Sequence, residues 1–136
     1  MSENLKLQPI QNWLNKNNWF FYDHQLETLN QSINGHDILL IAPTGGGKTL
    51  AGFLPSLHDL INNKFPDNKL HTLYISPLKA LTIDVHRNLT NPIEDQKLDI
   101  RVETRTGDTS NYKKTRQKEV PPHMLMTTPE LSLIHI

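Results

Sequence analysis

Apolar residues recur along this chain first at helical spacing and then in short strand-like runs, and that alternation predicts its elements. Pro9 starts a short helix carrying Ile10, Trp13 and Leu14, which runs into the Asn-rich stretch NKNNW. A second helix is expected from Asp23, whose side chain can accept from the free N–H groups of a first turn. It places Leu26, Leu29 and Ile33 on one face and ends at Gly35. DILLIA, 37–42, is a continuous apolar run between turn residues and reads as a buried parallel strand. After it Leu50, Phe53, Leu54, Leu57, Leu60 and Ile61 return at helical spacing, with Pro55 expected to bend that helix or to sit near its first turns.

The alternation continues to the end of the chain. LHTLYIS is a predicted strand, and Leu78, Leu81, Val85 and Leu89 form a helical stripe that should stop before Pro92. LDIRVET carries Leu98, Ile100 and Val102 at period two, SNYKKTRQKEV is a polar helix candidate, and HMLMTT is a last strand. Strands alternating with helices imply right-handed crossovers and a parallel sheet covered on both faces. The expected fold is a three-layer α/β/α domain.

Between DILLIA and the following helix lies APTGGGKT. Phosphate oxygens only accept hydrogen bonds, and a strand-to-helix turn meets them with convergent backbone N–H groups and the positive end of a helix. Pro43, Thr44, Gly45, Gly46 and Gly47 are therefore read as the phosphate-binding loop, the glycines letting the backbone approach without a Cβ in the way. Lys48 can reach the β and γ phosphates, and the Thr49 hydroxyl can join the shell of a magnesium ion. Ala42 stands where the general G-x-x-x-x-G-K-[ST] pattern has glycine.

Composition narrows the partners. With 14 Lys+Arg against 14 Asp+Glu, the chain has no net charge to draw it to nucleic acid or lipid, so any such contact must be local. The absence of cysteine removes disulfides, thiolate zinc sites and thiol catalysis and fits a reducing compartment. The seven histidines lack the paired spacing of a metal-binding helix and read as surface or packing residues. No apolar run approaches the roughly 20 residues that span a bilayer, so a cytoplasmic protein without membrane contact is expected.

The loop and its neighbours carry a resemblance. A-P-T-G-x-G-K-T is the variant typical of superfamily 2 helicases and translocases, and from Trp13 to Glu130 the chain resembles the large-helicase-related (Lhr-type) DEXH-box DNA helicases, most of all their bacterial ligase-associated branch. Trp19, Tyr22, His24 and Gln25 in WFFYDHQ are similar to the family's glutamine motif, although Phe21 and Tyr22 replace its usual Pro-Phe pair. The resemblance implies that Gln25 selects ATP by donating to and accepting from the adenine edge. YISPLKAL resembles motif Ia, RTGDT a further nucleic-acid element, and PPHMLMTTPE the family's TTPE block. These imply DNA contacts by Ser76, Lys79, Gly107, Thr127 and Thr128. Lys113, Lys114, Arg116 and Lys118 are read as a solvated helix face, and Trp13 and Trp19 as packing around the nucleotide site.

On this reading residues 1–22 are a lead-in to the glutamine motif, and 23–130 are part of a first RecA-like P-loop NTPase domain. Residues 131–136 are expected to be foreign, because LSLIHI is what one frame of a common transposon-based sequencing adaptor encodes. No Asp-Glu-x-His string occurs in the chain, and Glu130 belongs to the DNA-contact block. The resemblance implies a parent ATPase that moves 3′ to 5′ on DNA, with a second RecA-like domain and a repair setting. This chain alone is expected to be inactive, because the DEXH carboxylates and the second domain are missing. Two rivals remain: a non-catalytic nucleotide-binding module, and a small P-loop kinase.

Overall fold

A computed structural model describes residues 7–43, 47–62 and 65–129. The chain divides into two units, residues 1–64 and 65–136.

The first unit is helical among its described residues. Helix α1, Gln8–Lys16, has Pro9 in its first turn, where a missing N–H costs nothing, and buries Ile10 and Leu14. Trp13 meets Trp19 edge to face, with ring centroids 5.4 Å apart. Helix α2, Asp23–Ile33, begins differently from the expectation: Tyr22 is its N-cap, and Gln25 Oε1 accepts from the Tyr22 N–H at 2.8 Å. Gln25, three residues into the first turn, thus takes the satisfying role expected of Asp23. The buried face is also rotated, to Gln25, Thr28 and Leu29, leaving Ile33 exposed. Gly35, at φ +82°, closes the helix as expected while the His36 N–H reaches back to the Gln31 carbonyl. Helix α3, Lys48–Ile61, packs along α2 and buries Ala51, Phe53, Leu54 and Leu57. Pro55 lies well inside it, so one carbonyl of the preceding turn has no helical donor.

The predicted strand 37–42 is not found. Its residues form neither helix nor strand, and Leu39 and Ile41 are 85% and 84% exposed. The run is apolar, but a strand takes its hydrogen bonds from a neighbour, and 37–42 has no ladder partner among the described residues.

The second unit contains the sheet. Strands β1 (Thr72–Ile75), β2 (Val102–Arg105) and β3 (Met124–Thr127) are all parallel in the order β1-β3-β2. Ile75, Thr127 and Arg105 stand in one row, so the strands end level. Helix α4, Lys79–Asp95, follows β1 and packs on β2 and β3, with His86 Nε2 donating to the Val102 carbonyl at 2.9 Å. Helix α5, Asn111–Glu119, follows β2. Its N-cap Ser110 accepts from the Lys113 N–H. Because the path runs outward from β1 to β2 and then back to β3, right-handed crossovers put α4 and α5 on opposite faces. Side chains agree: Arg116 and Gln117 of α5 bond Glu103, whose face of the sheet is opposite that of Met124 and Met126, both fully buried.

Two details of α4 depart from expectation. It runs through Pro92 to Asp95, with Pro92 and Ile93 buried and the end closed by Lys97 at φ +53° and by the Leu98 N–H bonding the Ile93 carbonyl. A proline this near the end costs one hydrogen bond, and its burial with Ile93 offsets that loss. Of the predicted stripe, Val85 and Leu89 are buried while Leu78 and Leu81 are exposed, because the buried face runs through Thr82, Val85, Leu89 and Ile93 at helical spacing and leaves Leu81 to one side.

At the opposite end of the sheet, the strand beginnings are clasped by side chains. His123 is buried, and its Nδ1 accepts from the Arg101 N–H at 2.9 Å, so Nε2 carries the proton and donates to Asp67 Oδ1 at 3.0 Å. The Arg101 guanidinium adds bonds to the carbonyls of Asp67 and Pro121. The hydrogen bond from His123, helped by the Arg101 charge and partly offset by desolvation, holds the Asp67 carboxyl below its ordinary 3.8.

Candidate functional site

The predicted site residues fall into two groups, one in each unit. In the first, Gly47 is the N-cap of α3 at φ +75°, a left-handed conformation that glycine adopts without strain. Its surroundings add a second requirement, because a Cβ there would lie 2.5 Å from Gln25 Nε2 and 3.2 Å from the Tyr22 ring. Gln25, only 3% exposed, donates from Nε2 to the Gly47 carbonyl at 3.0 Å. One amide therefore fastens the start of α2 through Oε1 and the N-cap of α3 through Nε2. A primary amide has two N–H groups and two lone pairs, so one of each remains for a further partner.

Lys48 and Thr49 are the first two residues of α3, and both are exposed. The Lys48 ammonium donates to the Ala42 carbonyl at 2.6 Å and so lies back across the loop it was expected to serve. Pro43 is exposed, whereas Thr44, Gly45 and Gly46 lie outside the described residues. The exposed ammonium and hydroxyl at the N-terminus of a 14-residue helix fit a polyphosphate with its magnesium ion in residue type and in order.

In the second unit, the parallel register brings the ends of three strands to one rim. Ser76 follows β1, Thr106 and Gly107 follow β2, and Thr128 follows β3. This is the end of a parallel sheet at which ligands bind. The expected contact residues are not alike there. Lys79 is exposed in the first turn of α4, and nothing lies within 4 Å of where a Gly107 Cβ would be. Ser76, Thr127 and Thr128 are buried. Ser76 Oγ donates to the Leu78 carbonyl at 3.3 Å and its N–H to the Thr127 carbonyl, while Thr127 Oγ1 donates to the Arg105 carbonyl at 2.7 Å. The Ser76 and Thr127 hydroxyls are thus engaged by the rim's own backbone.

Two residues were missed. Asp108 forms an ion pair with Lys79 across the rim, and Arg105 is 9% exposed with a buried Nε that has no hydrogen-bond partner among the described residues. The turn that presents Asp108 is well made: Thr109 Oγ1 accepts from the Thr106 N–H, and Thr106 Oγ1 from the Asp108 N–H. Arg105 and Asp108 both lie in RTGDT, the stretch that resembles a nucleic-acid element, but from it only Gly107 is assigned, and only the fold brings Asp108 to Lys79. On α5, Arg116 pairs with Glu103, Lys113 and Lys118 face solvent, and Lys114 is half-buried, so the basic cluster is only in part the solvated face expected. Among the described residues no group of three or more His, Asp or Glu converges as a metal site, and no helix is long and apolar enough to cross a membrane.

A parallel sheet with crossover helices, and a glycine loop leading into a helix that opens with Lys-Thr, define the RecA-like P-loop class. The DEAD/DEAH box helicase family pattern matches residues 22–136, and the chain belongs to that family. Among its relatives is the ATP-dependent helicase Lhr-Core of Methanocaldococcus jannaschii, 36% identical over 90% of this chain and 16% of that protein. Solved structures agree. The DUF1998 helicase MrfA superposes with a TM-score of 0.82 at 29% identity, covering 95% of this chain and 20% of MrfA. The Mycobacterium smegmatis helicase Lhr, bound to ssDNA and AMP-PNP, gives 0.69 at 37% identity over 79% of this chain and 15% of that protein. The chain thus spans about a sixth of the length of the curated relative.

Proposed function

We propose that this chain is the nucleotide-binding part of the first RecA-like domain of an ATP-dependent DNA helicase of the Lhr type. The observation that carries the reading is the bond from Gln25 to Gly47, which ties the glutamine motif to the phosphate loop. Lys48, Gly47 and the 43–46 loop hold the phosphates, Thr49 serves the magnesium ion, and the free half of the Gln25 amide reads the adenine. Lys79 and Gly107 meet a DNA backbone, with Ser76, Thr127 and Thr128 shaping the rim beneath them. ATP supplies the free energy of movement. The hydrolytic carboxylates and a second RecA-like domain belong to the longer protein, which acts in the cytoplasm within a ligase-associated repair system. The kinase rival is disfavoured by the family match.

The test is binding of a fluorescent ATP analogue with magnesium to this chain and to Lys48→Ala. Loss of the Lys48 ammonium should weaken binding at least about tenfold, the scale of a charge-assisted contact to phosphate. Equal affinity of the two proteins overturns the assignment of the loop.

A further inference from the structure

The ion pair between Lys79 and Asp108 sits on the rim where the DNA backbone is proposed to lie, and the inference drawn from it rests on that reading. Lys79 is the one exposed cation among the five rim residues assigned to the strand, and its ammonium is already engaged by a carboxylate. That carboxylate offers the same chemistry as a phosphate: oxygens that only accept, with a negative charge. Asp108 is held at its place by its own turn, its N–H donating to Thr106 Oγ1 while the Thr106 N–H donates to Thr109 Oγ1, and its side chain is 71% exposed and free to leave. We propose that Asp108 is an internal rival for the strand phosphate on Lys79, so that each phosphate must displace a carboxylate to bind and is displaced by it on release. A protein that moves along a strand must let go of every phosphate it holds. A resident competitor lowers affinity and shortens each contact without removing the cation that makes it.

The pair is exposed, so the effect is a few-fold. Binding of a fluorescein-labelled oligothymidylate is measured across a salt series for the chain, Asp108→Asn, Lys79→Ala and the double variant, with thermal unfolding confirming that each is folded. Asp108→Asn keeps the backbone bonds of the turn and removes only the rival charge. It should tighten binding about threefold, the scale of one exposed ion pair. It should also steepen the salt dependence by at most about 0.7, the share of one single-strand phosphate contact. In the Lys79→Ala background Asp108→Asn should have no effect. Equal tightening in both backgrounds would make Asp108 a general repulsive charge and overturn the inference while leaving the rim reading intact. Binding unchanged by Lys79→Ala would remove the strand from this rim and overturn both.

Discussion

The two units of this chain respond differently to the same kind of sequence pattern. In residues 65–129 each predicted strand run finds a ladder, and Met124 and Met126 become fully buried. In residues 1–64 the run Ile38–Ile41 is at least as apolar, yet Leu39 and Ile41 stand open to solvent. The helices of both units form near their predicted positions. The difference lies in where each element obtains its hydrogen bonds. A helix satisfies its backbone from within four residues, while a strand depends on a segment elsewhere. Apolar patterning is therefore sufficient grounds for a helix and only necessary grounds for a strand.

The strongest way to break this comparison is through the buried sheet. Met126→Ala should destabilise the second unit by about 3 kcal/mol, as other large-to-small core changes do, measured by urea unfolding. A loss below about 1 kcal/mol would mean that its burial carries little of the sheet's stability.

A second test acts on the clasp at the strand beginnings. The folded-state pKa of Asp67 is lowered, so its contribution is present above the ordinary 3.8 and is lost as pH falls through the lower folded value. Asp67→Asn should lower the melting temperature at neutral pH, and its deficit against the parent chain should shrink as pH drops below 3.8. A deficit independent of pH would show that shape, and not charge, is what Asp67 supplies.

The smallest effect is expected where the pattern failed. Leu39→Lys should change stability by no more than about 0.5 kcal/mol, as exposed substitutions do, and should reduce aggregation of the chain. A loss as large as that of Met126→Ala would place Leu39 in a core and erase the contrast between the units.

Much of the fold was legible because it rests on local rules. Pro9 and Gly35 fix helix ends through backbone geometry, so each could be read in place. What was hidden depends on distance in the chain. Gln25 and Gly47 are 22 residues apart and Asp67 and His123 are 56 apart, and no periodicity links either pair. Lys79 and Asp108 belong to the same class, as does the choice of Thr28 over Leu26 for the buried face of α2. The proposed phosphate loop could be read from residue type because its residues are consecutive. The proposed strand-binding rim was legible only as separate motifs, and the division of its members into exposed and buried residues needed the sheet.

The strand order has a consequence for how the chain is made. β3 is the last of the three strands in sequence and the middle one in space, and among the described residues β1 and β2 each pair only with it. As the chain emerges from a ribosome, β1 and β2 therefore leave the tunnel with no strand of this sheet to pair with. Helices α4 and α5 can form meanwhile, but neither ladder can start before 124–127 is made, so both non-local pairings wait on the last strand.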